Sequence, residues 1–395
     1  MFNDPVKRNV LLLAVCQALY ISGTTLMIVT APLVGKMLLP EDPGWATAPL
    51  FFHHGGVMSA TIPASLLMRR IGRRAGFMLG AVIGCIGALI AVEAIYELSY
   101  WGFCLGVFVI GWFNGFAIFY RFAAADTATP EFRPKAISLV LAGGLLAAII
   151  GPELAKHTLD WLAPAFYAGS YLSLVGLYVL SFCILAFVRI PRLSVEERRD
   201  TGRPLKEIMR QPACIVAMLA AVASYATMSL VMSPTPLAMA ACGFDTDDTF
   251  TVMQAHVVGM YLPTFFTGHL VSRFGARPII LAGIALIAVC AAVNLSGVEL
   301  MHFAVALFLN GVGWCFMFVG GSALLTEVHT PAERAKLQGV NDFVVFGSIA
   351  VSSLFSGRIH HDLGWDWINI GILPMIAVSL LATLIFAGSR GQRAA

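Results

Sequence analysis

The sequence is poor in charge. Only 12 % of its 395 residues are Asp, Glu, Lys or Arg and 58 % are hydrophobic, whereas soluble domains carry about 25 % charge. A mean hydropathy of +0.83 leaves too little polar surface to cover a water-soluble globule. That excludes a soluble enzyme, a nucleic-acid binder and a disordered scaffold. Paired cysteines are missing as well. The eight Cys, at 16, 85, 104, 183, 214, 242, 290 and 315, stand singly with no C-x-x-C pair or zinc spacing, and read as small apolar fillers. There is no Walker A stretch and no D-K-T-G-like phosphorylation site, so ATP-driven pumping lacks its equipment. The alternating ten-residue runs of a membrane β-barrel are absent too. No cofactor and no metal are called for.

What the chain does have is long apolar runs. A helix needs about 20 apolar residues to cross a bilayer core. Twelve segments answer, near 9–34, 46–68, 75–96, 101–124, 136–157, 163–188, 211–235, 247–271, 278–296, 300–325, 337–357 and 365–388. Lipid leaves each backbone amide to be satisfied within its own segment, so the fold class is all-α integral membrane. The first run is too long for a signal h-region and is read as retained.

Lys and Arg alternate between loops. One set holds Lys7, Arg8, Arg69, Arg70, Arg73, Arg74, Arg133, Lys135, Arg273, Arg277, Arg334, Lys336, Arg390 and Arg393. The other holds only Lys36, Lys156 and Arg358 beside Glu41, Asp42, Asp160, Asp245, Asp247, Asp248, Asp362 and Asp366. The basic set is expected to be cytoplasmic, with both termini on that side of the inner (plasma) membrane.

One long polar segment, 191–210, separates a first half (1–190) from a second (211–395). Its mixed charge and two prolines read as a linker carrying a short surface helix. The halves repeat. Thr129-Pro-Glu-Phe-Arg133-Pro-Lys135 matches Thr330-Pro-Ala-Glu-Arg334-Ala-Lys336 at an offset of 201, Arg70-Ile-Gly72-Arg-Arg74 matches Arg273-Phe-Gly275-Ala-Arg277 at 203, and Gly111-Trp112 matches Gly313-Trp314 at 202. Duplication of a six-helix unit follows.

With these features the chain resembles the major facilitator superfamily, whose members are twelve-helix secondary transporters. The family's loop pattern Gly-x-x-x-Asp-Arg-x-Gly-Arg-Arg appears as Ser65-Leu-Leu-Met-Arg69-Arg70-Ile-Gly72-Arg73-Arg74, with Arg69 in the acidic position and Ser272 as its second-half counterpart. Gly143-Gly144 and Gly151-Pro152 resemble the Gly-Pro motif of the family's antiporters, although Glu153-Leu-Ala replaces its later glycines. Gly111 stands where many members carry a proton-linked Arg four residues before a Gly. The resemblance implies two pseudo-symmetric six-helix bundles, alternating access and, as the leading expectation, proton coupling.

Ionisable residues at membrane depth turn toward a cavity or a partner. Arg121, seven residues beyond Asn114 and on the same face of one continuous helix, is either a cavity cation or a gate residue paired with Asp126. Gln17 and Tyr20 share a face of the first span with Thr24; Asn310 and Trp314 recur at helical spacing in the tenth; Tyr225 and Tyr261 lie in the seventh and eighth. With His54, Asn114, Arg121 and His256 these ten form the expected pocket. It suits a flat amphipathic molecule. His54, His256 and Glu153 are the candidates for proton coupling, and Gly72, Arg73, Arg74, Asp126, Gly275, Arg277 and Asp342 those for a gate.

The expected function is therefore secondary transport of a small organic solute with protons, by a monomer that needs only the lipid bilayer and contacts no nucleic acid. Export of a drug or metabolite is slightly favoured over import of a vitamin, siderophore or organic anion. A membrane enzyme would need clustered ligands at one face, and His360-His361-Asp362 is too short a cluster. A receptor would add a soluble output domain.

Overall fold

The computed structural model describes residues 5–128, 133–190, 202–330 and 333–394, and these form sixteen α-helices and one 3₁₀ turn. The first half holds α1 (Pro5–Leu38), the 3₁₀ turn (Pro43–Trp45), α2 (Ala48–Ile71), α3 (Arg73–Tyr96), α4 (Tyr100–Ala117), α5 (Tyr120–Thr127), α6 (Arg133–Thr158) and α7 (Ala168–Leu185). A short α8 (Leu205–Met209) stands in the linker. The second half holds α9 (Pro212–Met232), α10 (Thr235–Ala241), α11 (Thr246–Tyr261), α12 (Thr264–Phe274), α13 (Ala276–Ser296), α14 (Leu300–Thr326), α15 (Arg334–Leu363) and α16 (Trp365–Ala394).

All twelve expected spans are helical, but three are broken. Pro234 and Pro263, which lack an N–H, separate α9 from α10 and α11 from α12. The fourth span breaks at Ile118–Phe119 without a proline, where Phe119 N–H bonds Phe116 O at 3.2 Å and Phe122 N–H bonds Phe119 O at 3.1 Å. By length and composition ten helices among the described residues can cross a membrane. The two expected spans that fall short are α2 and the broken α11–α12. They occupy the same place in the two halves, and each carries buried histidine.

The packing repeats with the sequence. Within the halves α2 packs on α4 as α11 packs on α14, and α3 on α4 as α13 on α14. Between them α2 meets α15 and α6 meets α11. Those are the second and eleventh spans and the fifth and eighth, two contacts exchanged by a half-turn about a common axis. Glycine permits the closest of these approaches. A Cβ at Gly111 would strike the His53 carbonyl oxygen and one at Gly56 the Phe108 carbonyl; in the second half Gly311 abuts His256 O and Gly259 abuts Phe308 O. The turns between α2 and α3 and between α12 and α13 also match, with Gly72 at φ 90° and Gly275 at φ 86°, a region that L side chains avoid.

The halves are joined at the acidic-loop face. Arg358 Nη1 lies 3.3 Å from Asp42 Oδ1, and Lys156 Nζ lies 2.6 Å from Asp247 Oδ2. Between these pairs the buried Thr47 hydroxyl donates to Ser353 O at 2.6 Å and accepts from Gly357 N–H at 3.0 Å.

Candidate substrate site

Arg121 is the second residue of α5, just beyond the break in the fourth span. Irregular backbone at this depth is tolerated where it is buried within protein. The guanidinium is within electrostatic range of Tyr20 on α1, Tyr225 on α9, Tyr261 on α11 and Asp342 on α15. Four helices from both halves thus converge on one cation. Its carbon lies 4.8 Å from the Phe122 ring centre, and its Nε is buried without a hydrogen-bond partner among the described residues.

Beside it stands an aromatic wall. Trp314 and Phe318 are stacked, with ring centres 5.2 Å apart and planes at 17°. Tyr225 meets both edge-on at 5.2 Å, and Tyr261 meets Trp314 at 6.2 Å. Tyr261 belongs to the second half but sits on Gly144 of the first, where any Cβ would collide with its ring. Phe318 and Phe346, which closes on Tyr225 at 6.4 Å, were not picked out from the sequence. Phe318 was readable, since it lies one turn beyond Trp314.

The two halves treat their buried polar groups differently. In the first half His53 Nδ1 faces Val107 O at 3.3 Å, and its Nε2 lies 3.1 Å from Asn114 Nδ2, which also donates to Thr24 Oγ1 at 3.0 Å. His53 is then a neutral imidazole with its proton on Nδ1, satisfied on both sides. In the second half His256 Nδ1 lies 2.8 Å from Leu307 O. There the parallel ends. His256 Nε2, both polar atoms of Asn310 and Trp314 Nε1 have no partner among the described residues, although all three side chains are buried.

The other expected residues fall as follows. His53, not His54, is the counterpart of His256: both face a carbonyl of the helix that packs on them, whereas His54 Nδ1 bonds Leu50 O of its own helix at 2.8 Å. Asn114 bonds His53 and Thr24 of α1, while Arg121, beyond the turn at Ile118–Phe119, acts on Tyr20 of the same α1 and on the second half. Glu153 is not at depth; its side chain is half exposed at the acidic-loop end, 3.3 Å from His157 Nε2. Gln17 is buried on α1 near Tyr20. Among the gate residues, Asp342 accepts from Asn341 Nδ2 at 3.2 Å and lies in the field of Arg121. Arg73 and Arg277 are half-buried at the starts of α3 and α13, and Arg74 turns away toward Arg8 and Arg189. The Asp126 side chain lies outside the described residues.

A duplicated helical bundle with one cation and an aromatic wall between its halves defines the class, a membrane solute transporter. The family model described as Major Facilitator Superfamily matches residues 13–262 and 217–394, and the chain belongs to that family. It is 40 % identical over 390 residues, 98 % of each chain, to the riboflavin transporter RfnT of Brucella anthropi. It is 26 % identical to the uncharacterized MFS-type transporter YdeG of Bacillus subtilis, over 98 % of this chain and 93 % of that one. The multidrug transporter MdfA of Escherichia coli O157:H7 is 27 % identical over 33 % of this chain and 32 % of its own.

Proposed function

We propose that the chain moves riboflavin, or a flavin close to it, into the cell by alternating access. The observation that carries this reading is the Trp314–Phe318 stack beside Arg121, a flat apolar surface with a hydrogen-bonding fork at its edge. A tricyclic isoalloxazine has the shape to lie on such a surface. Its pyrimidine edge presents carbonyl oxygens and an imide N–H. Asn310, offering a free donor and a free acceptor, is complementary to one carbonyl and that N–H, with Trp314 Nε1 a further donor and His256 Nε2 a further acceptor. Arg121 supplies donors for ring or ribityl oxygens. Riboflavin is neutral, so the charge of Arg121 is balanced by Asp342 rather than by the substrate.

Support for a vitamin over a drug comes from the relatives. The riboflavin transporter matches this chain end to end, whereas the multidrug transporter matches a third of it. The expected leaning toward export therefore gives way to its alternative. Proton coupling stays part of the proposal, with Asp342 beside Arg121 better placed for it than Glu153. The latch at the acidic-loop face fits a conformation closed to the outside, if the basic loops are cytoplasmic as their charge implies.

The test is uptake of labelled riboflavin by riboflavin-requiring bacteria that express the chain, with a melting-temperature screen of the purified protein against flavins and cationic drugs. Riboflavin uptake that collapses with a protonophore is the expected result. Absence of both uptake and a riboflavin-induced shift overturns the reading, most clearly if a drug stabilises the protein instead.

A further inference from the structure

A cavity of about 370 Å³ opens at the basic-loop end of the first half, well away from the Arg121 site. Arg8, Arg74 and Arg189 converge on it, between the start of α1, the first turn of α3 and the chain just past α7. A second opening of about 360 Å³ shares Arg74 and Arg189. Among the described residues, no acidic side chain lines either space. None of the three arginines has an ion-pair partner among the described residues, and Arg8 Nε is buried with nothing to bond.

The arrangement is built rather than incidental. Asn9, itself only 4 % exposed, donates from Nδ2 to Arg189 O at 2.7 Å and accepts from Arg189 N–H at 3.1 Å. That pair of bonds fixes Arg189 beside the helix that carries Arg8. The Arg74 side chain leaves from the N-terminal turn of α3, where unpaired amides and the helix dipole add positive potential. Three guanidinium groups held together without a counter-charge repel one another, and an anion that bonds all three removes that cost.

The remaining wall names the source of the anion. Leu12 lines the cavity one turn along from Arg8, and Phe187, 70 % exposed, flanks it where α7 ends. A soluble phosphate has no use for a phenyl ring facing outward at the end of three membrane-crossing helices. An acyl chain does. Basic pockets between helices on the cytoplasmic side suit the phosphodiesters of anionic lipids.

We infer that this cavity binds the headgroup phosphate of an anionic phospholipid, with an acyl chain lying over Phe187. The site tethers the first half to the leaflet and does not depend on what the transporter carries.

The test uses the full chain, purified in neutral detergent and offered phosphatidylglycerol, phosphatidylcholine or inorganic phosphate, with retained lipid counted by native mass spectrometry and stability followed by melting temperature. The parent should retain phosphatidylglycerol over phosphatidylcholine by about tenfold or more. Joint replacement Arg8→Gln, Arg74→Gln and Arg189→Gln should erase that preference, while the corresponding Lys variants keep most of it. Phe187→Ala should weaken lipid retention without changing any response to inorganic phosphate. Should the triple variant not fold, Arg189→Gln alone, at an exposed side chain, should still lower the preference. Equal preference in parent and arginine variants overturns the proposal. So does stabilisation by inorganic phosphate equal to that by phosphatidylglycerol, which would make this a soluble-anion site.

Discussion

Arg121 faces Asp342 across the two halves, and both ends of that relation can be tested. Arg121→Lys keeps the charge but loses the planar fork, so riboflavin affinity should fall by about tenfold, roughly one or two lost hydrogen bonds. Arg121→Ala also strands Asp342 without its counter-charge and should abolish uptake. Parent-like uptake in both variants would remove Arg121 from the site. Asn310→Ala should weaken riboflavin by a similar factor, yet cost flavin methylated at the imide nitrogen less, because that ligand has already lost the N–H and keeps only the carbonyl contact. Equal losses for both ligands in a binding titration would mean that Asn310 does not read the imide. The sequence made Arg121, Asn310 and Trp314 visible through their chemistry and spacing. It did not separate His53 from His54, since adjacent residues on a helix differ by about 100° in direction. Only the position of α4 decides which of them turns inward.

Hydropathy marked every helix, but it could not show where helices interrupt themselves. Pro234 and Pro263 were readable as breaks; the one at Ile118–Phe119 has no such signal. Glycine spacing was legible as a repeat, while its reason, contact between a helix backbone and a histidine carbonyl, needed the packed helices. Gly311→Ala should force α11 from α14, costing about 1–3 kcal/mol by overpacking, and Gly111→Ala should do the same to α2 and α4; unchanged melting temperatures would refute this. The linker makes a further prediction. Glu333, its side chain only 1 % exposed, accepts from Arg203 Nε at 2.7 Å, Arg203 Nη2 at 2.8 Å and the amides of Arg203 and Thr330 at 2.8 and 2.9 Å. The guanidinium foremost, and then the Thr330 amide, hold its carboxyl far below the ordinary carboxylate range. A depressed value stabilises the fold at every pH above the unfolded value of about 4.3, and that stability fades only as pH falls toward the lower folded value. Glu333→Gln should therefore lower the melting temperature equally at about pH 5.5 and about pH 8. A loss confined to the higher pH would show that the carboxyl titrates above its ordinary range instead.

At the scale of the whole molecule, the proposed alternating access requires the two halves to part at the acidic-loop face, and the contacts there are few enough to name. Cysteines in place of Asp42 and Arg358, joined by a short thiol cross-linker with a reducible bond, should form a bridge that halts uptake and releases it on reduction. Uptake indifferent to that bridge would mean that this face stays shut throughout. Thr47 explains how such a closure can hold and still let go. Its hydroxyl bonds Ser353 C=O and Gly357 N–H, one turn apart on α15, which stays helical from Arg334 to Leu363. When the hydroxyl withdraws, the backbone of α15 keeps its helical partners within reach. The fastening is thus one side chain laid on a finished helix, and it can lift away without the helix changing.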